Sequence, residues 1–154
     1  MHEQFLQQAI ALACDNIANS GGPFGAVIVK GNQIIATGVN RVTDQLDPTA
    51  HAEIQAIRTA CQIVGDFQLT DCVLYSSCEP CPMCLGAIYW ARLKAVYFAA
   101  TRFDATQANF DDSFIYDDIV LPLTQRQITT QHIQLINADQ PFKIWIQHTN
   151  KTLY

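Results

Sequence analysis

The sequence predicts an α/β sandwich in which helices pack on a mixed β-sheet. Short runs of branched and aromatic residues alternate with longer segments whose apolar residues recur every three or four positions. This alternation places helices beside the strands, so they are expected to cover the faces of one sheet. A chain of 154 residues is long enough for a buried core, and we expect residues 1–154 to form a single domain.

The expected elements follow from apolar periodicity and from turn residues. A helix at 5–17 ends at 19–22, and strands at 24–29 and 34–39 flank the turn pair Gly31-Asn32. A second helix is expected to begin at Pro48, capped by Asp47, and to end at Gly65. The remaining elements are a strand at 72–77, a helix at 81–92, a strand at 95–99, a loop with short helical pieces at 101–118, a strand at 132–136 and a terminal helix or arm from 142.

Composition and charge narrow the class of protein. A hydrophobic content of 49% with 15% charged residues is typical of a soluble folded domain and excludes a disordered one. The sequence contains no apolar run of about 18 residues and no secretory leader, so we expect a cytoplasmic protein that does not interact with membranes. The net charge is −5 and the nine Lys and Arg residues form no basic stripe, which disfavours nucleic acid as a partner.

Two short motifs, His51-Ala-Glu53 and Pro80-Cys81-Pro-Met-Cys84, contain the residues expected to bind a metal and to catalyse a reaction. Each is expected to open a helix, and the thiols of Cys81 and Cys84 would then point to the same side of a first turn. With His51 they form the one-histidine, two-cysteine ligand set of a catalytic zinc whose fourth position is left for water. Glu53 is near enough to exchange protons with that water, and the two motifs together are the signature of zinc nucleobase deaminases.

Other interpretations of the same residues stay open at this stage. Cys78 could be a fourth ligand, which would close a structural zinc site in a domain that binds a partner. An iron–sulfur cluster is disfavoured because the bacterial ferredoxin run requires a further cysteine where Ile88 stands. The two motifs could also coincide by chance, with His51 only capping its helix.

The sequence resembles the cytidine deaminase-like superfamily, and within it the small bacterial guanine deaminases. The resemblance is carried by GPFGAVIV (22–29), DPTAHAE (47–53), SCEPCPMCLGAIYWAR (77–92), FDDSFIY (110–116) and the final Tyr154. It implies a three-layer sandwich around a central mixed five-stranded sheet, one zinc ion per chain and hydrolysis of guanine to xanthine and ammonia. It also implies a homodimer in which an arm at about 140–154 is exchanged between subunits.

The resemblance further implies which residues bind the base. Asn40 and Asp112 would hydrogen-bond the polar edges of a purine, while Phe24, Trp90 and Tyr154 would enclose its ring. Aromatic faces suit a planar base, and a carboxylate can accept the N–H groups of guanine, one of which adenine lacks. Without the resemblance, Phe24 and Trp90 would be interpreted as core residues. The alternatives are deamination of adenosine in tRNA, of cytosine or of another amino-heterocycle.

Overall fold

The computed structural model describes residues 2–154, which divide into two compact units. The first unit ends at Ser113 and the second comprises Phe114–Tyr154. The first unit contains the elements α1 (His2–Ala18), β1 (Gly25–Lys30), β2 (Gln33–Val39), α2 (Val42–Gln45), α3 (Ala52–Val64), β3 (Cys72–Cys78), α4 (Pro82–Trp90), β4 (Ala95–Ala100) and α5 (Arg102–Gln107). From the boundary onward the chain forms α6 (Ser113–Ile119), a 3-10 turn (Leu123–Gln125) and α7 (Gln140–Gln147).

The strands form a mixed sheet in the order β2-β1-β3-β4. β1 is antiparallel to both of its neighbours, and it is joined to β2 by the two-residue turn predicted from the sequence. β3 and β4 are parallel because α4 lies between them in the chain and carries it back to the same end of the sheet. The prediction of a mixed sheet is confirmed.

Both faces of the sheet are covered, which gives the predicted three layers. One face packs on α1 through Phe5, Val27, Val29 and Tyr75. The opposite face packs on α3 and α4 in a larger core. That core comprises Ala26, Ile28, Ala36, Ala52, Ala56, Ile57, Ala60, Leu69, Cys72, Leu74, Ile88 and Ala91.

The helix that carries the first motif begins later than the sequence predicted. Asp47 does not cap it. Its carboxylate instead accepts hydrogen bonds from the backbone N–H and the hydroxyl of Thr49, at 2.8 and 2.7 Å. This Asp–Thr turn satisfies the polar groups around Pro48, so α3 starts only at Ala52, with His51 as its N-cap. Its end at Gly65 is confirmed, where φ is +73°.

The sheet has four strands within residues 2–154, whereas five were expected. The segment 132–136 forms no strand, and Ile133, Leu135 and Ile136 are exposed. A strand needs a neighbour to satisfy its backbone groups, and this segment pairs with none in the described chain. The helix expected from residue 142 is present as α7. Among residues 2–154, none of the helices is both long and apolar enough to cross a membrane.

Candidate active site

The first turns of α3 and α4 bring the two sequence motifs together. His51 is the N-cap of α3 and Cys81 the N-cap of α4, both with extended backbone. Pro82 follows Cys81 inside the helix, where its missing N–H costs no hydrogen bond. Because α3 and α4 pack on the same face of the sheet and contact each other, their N-termini place these residues side by side.

The donor atoms of His51, Cys81 and Cys84 are spaced as metal ligands. The His51 Nδ1 atom lies 3.5 Å from the Cys81 Sγ and 3.5 Å from the Cys84 Sγ, and all three atoms lie within 4.8 Å of one another. In a tetrahedral zinc site, bonds of about 2.3 Å to sulfur and 2.0 Å to nitrogen separate those atoms by about 3.5 Å. The residues present therefore fit a zinc ion.

The surroundings of Cys81 favour its thiolate. Hydrogen bonds from the Cys84 side chain, from His51 and from the Cys84 backbone N–H hold the pKa of Cys81 well below its usual value. The same pairing raises the pKa of Cys84, so the first negative charge of the pair lies on Cys81. The positive end of the α4 dipole acts in the same direction on Cys81.

Glu53 lies beside this group of donors without belonging to it. It is the second residue of α3 and is only 6% exposed. Its Oε1 atom accepts a hydrogen bond of 3.2 Å from the Ser76 hydroxyl, and its Oε2 atom accepts one of 3.4 Å from the Cys84 thiol. Burial raises the pKa of Glu53. A buried carboxyl group, held at Oε1 by Ser76 and lying next to Cys84, is thus placed to exchange protons with a molecule bound at the three donors.

Cys78 does not complete a four-ligand site. It is the last residue of β3 and is buried, and its thiol donates a hydrogen bond of 3.5 Å to the Thr101 carbonyl. Burial raises the pKa of Cys78 to about 11, which opposes the thiolate that a metal requires. Among residues 2–154 the metal-binding group contains His51, Cys81 and Cys84 alone. This geometry favours an open metal site over a closed structural one.

Three of the residues predicted to bind the base lie in the first unit near these motifs. Asn40 directly follows β2 and is half-buried, and its backbone N–H donates to the Phe24 carbonyl at 3.1 Å. The Phe24 ring packs edge-on against Phe110, with their centroids 5.0 Å apart. Asp112 is half-buried. The hydrogen bond with Cys81 raises the pKa of His51, and the negative charge of Asp112 adds to this effect.

The other two predicted residues, Trp90 and Tyr154, have exposed side chains. Trp90 is the last residue of α4, six residues beyond Cys84 and therefore about 9 Å further along the helix. Its side chain is 66% exposed. Tyr154 belongs to the second unit, and its side chain is 73% exposed. Their contribution to substrate binding stays a prediction.

Comparison with known proteins identifies the family. Residues 1–100 match the profile of the cytidine and deoxycytidylate deaminase zinc-binding region. The chain belongs to this family of zinc-binding deaminases.

The share of this chain that aligns differs between the guanine deaminase and the tRNA-specific adenosine deaminase to which it is similar. It is 56% identical to the guanine deaminase of Bacillus subtilis over 154 residues, which covers 99% of each chain. The X-ray structure of guanine deaminase from Bacillus subtilis superposes with a TM-score of 0.98 at 55% identity, covering 100% of this chain and 99% of the other. The tRNA-specific adenosine deaminase of Agrobacterium fabrum is 45% identical over 78 residues, which is 51% of each chain.

Sequence reasoning missed the residue that orients Glu53 in this deaminase. Ser76 is fully buried in β3 on the face that meets α3. A sequence signal was present, because Ser76 and Ser77 are consecutive polar residues inside an otherwise apolar strand. Such residues need buried partners, which only the packing of α3 on the sheet could identify.

Proposed function

We propose that this deaminase catalyses the hydrolysis of guanine to xanthine and ammonia, using one zinc ion per chain. The observation that carries the proposal is the position of the buried Glu53 carboxyl group, at 3.4 Å from Cys84 and outside the three-donor group. A proton carrier next to an open metal site is the arrangement that hydrolytic deamination of a base requires. The choice of guanine is supported by the similarity to the Bacillus subtilis guanine deaminase along the whole chain.

His51, Cys81 and Cys84 are proposed to hold the zinc. When bound there, the ion would lower the pKa of a water molecule to about 7 and so provide hydroxide at neutral pH. One imidazole and two thiolates leave room for that water, and the helix N-termini help to keep the thiols ionised.

Glu53 is proposed to move the protons. Its carboxylate takes the proton that the attacking water loses as a bond forms to C2 of guanine. The acid form returns this proton to the ring nitrogen N3. Glu53 then takes the second proton of the water, now on the C2 hydroxyl, and gives it to the amino group, so that the C2–N bond breaks, ammonia leaves and the C2=O bond of xanthine forms. The apolar surroundings of Glu53 raise its pKa, which makes it a stronger acceptor than a solvated carboxylate.

Asn40, Asp112 and Phe24 are proposed to bind the base, with Trp90 and Tyr154 completing the pocket. The amide of Asn40 offers both a donor and an acceptor to a ring edge. The carboxylate of Asp112 accepts the N–H groups of guanine, and it would be left without a partner against adenine, which lacks the N1–H. The Phe24 ring, fixed by Phe110, presents an apolar surface to the base.

A homodimer is the proposed assembly, with the terminal arm of one subunit covering the other. Among the described residues 114–154, none is buried, although several are large and apolar. In the first unit, β4 and α4 expose apolar side chains, including Tyr89, Tyr97 and Phe98. A unit without a core of its own needs a partner surface to become stable.

All six cysteines are free, which suits the reducing cytoplasm in which we propose that the enzyme acts.

A substrate panel tests the function directly. Purified zinc-loaded protein is incubated separately with guanine, adenine, cytosine, guanosine and a tRNA that carries adenosine in its anticodon. We expect ammonia release and xanthine formation from guanine, and loss of both in the Glu53→Gln variant. Inosine formation in tRNA without turnover of guanine would contradict the proposal and support the alternative substrate.

A further inference from the structure

Asn16 is a buried polar residue of α1 that the catalytic scheme above does not use. Its side chain is 3% exposed, and among residues 2–154 the buried polar residues are Asn16, Glu53, Ser76 and Ser77. A primary amide carries two donors and an acceptor, and its burial is unfavourable unless those groups are satisfied.

The two N–H groups of Asn16 join two separate segments of the chain. The Nδ2 atom donates a hydrogen bond of 2.8 Å to the Gly22 carbonyl, just before β1, and one of 2.9 Å to the Asn40 carbonyl, just after β2. These segments are also joined directly, because the Asn40 N–H donates to the Phe24 carbonyl at 3.1 Å. The start of β1 and the end of β2 are therefore fixed to each other and to α1.

The side chain of Asn40 lies directly against Gly22. A Cβ atom added at Gly22 would stand 2.9 Å from the Asn40 Oδ1 and 3.0 Å from its Cγ. A side chain at residue 22 would therefore displace the side chain of Asn40. The segment is also held from the sheet, since the Gly25 N–H donates to the Ser77 hydroxyl at 3.0 Å.

We infer that Asn16 is a positioning residue for substrate binding, which places Asn40 and Phe24 without touching the base itself. The inference rests on the proposed function, in which those two residues contact the purine. Base-binding groups must be held within a fraction of an ångström, and buried hydrogen bonds supply that rigidity.

The contacts of Asn16 also predict which kinetic constant depends on it. Both of its N–H groups bind the segments that carry Phe24 and Asn40, whereas Glu53 is held by Ser76 from β3. Loss of the Asn16 amide should therefore weaken binding of the base and leave proton transfer in place. The expected signature is a raised KM with kcat nearly unchanged.

Two variants act on this network from different sides. Asn16→Asp keeps the size of the side chain but replaces its NH2 group with an oxygen atom. That oxygen would face the carbonyl oxygens of Gly22 and Asn40, which repel it. Gly22→Ala keeps both Asn16 hydrogen bonds but displaces the Asn40 side chain. The three atoms nearest to the new Cβ atom all belong to that side chain. The matched control is Asn19→Ala, which removes an exposed hydrogen bond from the Asn19 side chain to the Asp15 carbonyl. Asn40→Ala reports the contribution of Asn40 itself.

Steady-state kinetics with guanine, zinc content and thermal unfolding are measured for all four variants. We expect KM to rise about tenfold or more in Asn16→Asp and Gly22→Ala, with kcat within about threefold and zinc retained. The control should match the unmodified enzyme. If Asn16→Asp does not fold, Asn16→Ala decides the question, because it removes the amide without placing an oxygen against the Gly22 and Asn40 carbonyls.

The outcomes separate this inference from the proposed function. An unchanged KM in the folded Asn16 variant, with a raised KM in Asn40→Ala, would overturn the role of Asn16 and leave the function intact. Loss of kcat and zinc together would show a merely structural role for Asn16 and also overturn the inference. Failure of the unmodified enzyme to deaminate guanine would instead reject the proposed function.

Discussion

Ser76 donates a hydrogen bond of 3.2 Å to the Oε1 atom of Glu53, and both side chains are buried. The other carboxyl oxygen lies 3.4 Å from the Cys84 Sγ, so the carboxyl group points toward the three donors. Ser76 lies on β3 and Glu53 on α3, so the packing of that helix on the sheet determines where the proton carrier points.

The first prediction concerns this hydrogen bond. Ser76→Ala should lower kcat by roughly 10- to 100-fold, because the loss of one buried hydrogen bond costs about 1–3 kcal/mol and frees the Glu53 carboxyl group to rotate. KM for guanine and zinc content should be unchanged in steady-state and metal assays. Ser76→Thr keeps a hydroxyl and should recover most of the rate. Full activity in Ser76→Ala would show that the hydrogen bond does not orient Glu53.

The second prediction tests the proton carrier itself. Glu53→Gln keeps the shape of the side chain but cannot accept a proton, so kcat should fall by roughly 10²- to 10⁴-fold. Zinc content and folding should be retained, as measured by metal analysis and circular dichroism. A zinc-loaded Gln variant with normal turnover would refute the role proposed for Glu53.

The third prediction compares two neighbouring cysteines. Cys81→Ser should lose most bound zinc, since Cys81 supplies one of the three donors, whereas Cys78→Ser should keep the metal. Cys78 is the matched control because it is three residues away and its thiol donates to a backbone carbonyl instead. X-ray absorption of the unmodified protein should show one nitrogen and two sulfur ligands. Three sulfur ligands would favour the closed structural site.

The fourth prediction concerns the end of the chain. Removing residues 151–154, and separately changing Tyr154 to Ala, should each raise KM for guanine, because the aromatic ring is proposed to cover the base. Changing Tyr154 to Phe keeps the ring and serves as the control. Unchanged kinetics in the truncated enzyme would remove Tyr154 from the substrate pocket.

The fifth prediction concerns assembly. Phe98→Glu places a charge among the exposed apolar side chains of β4 and should shift the protein from dimer to monomer in analytical ultracentrifugation. Ile63→Glu places the same charge on an exposed position of α3 and should leave the dimer intact. A monomeric unmodified enzyme at micromolar concentration would contradict the proposed homodimer.

The sequence predicted the sheet of the first unit and the metal group because both depend on local patterns. Apolar periodicity located the helices and strands, and two short motifs located His51, Cys81 and Cys84. The predicted start of α3 was wrong because the Asp47 carboxylate accepts a hydrogen bond from Thr49 instead of capping the helix. Helix propensities do not reveal such a competing hydrogen bond. The prediction of a strand at 132–136 was wrong because a strand requires a neighbouring strand, and the residues of the segment itself do not specify that neighbour.

Long-range hydrogen bonds could not be predicted in this way. Asn16 and Asn40 are far apart in the sequence, and the bond between them exists only because α1 packs beside the hairpin. Ser76 and Glu53 are likewise joined by the packing of α3 on β3. These contacts depend on topology, whereas each of the two zinc motifs is recognised by residue spacing within one helical turn.

His51 and Cys81 are the N-caps of two different helices, so an ion bound between them would hold the starts of both helices together. Free metal at 100 times its dissociation constant adds about 2.7 kcal/mol to the free energy of unfolding. For a domain of this size, that corresponds to roughly 5–10 °C in Tm. Proteolytic turnover in a zinc-starved cell would therefore remove the enzyme faster, and its abundance would follow the supply of the ion.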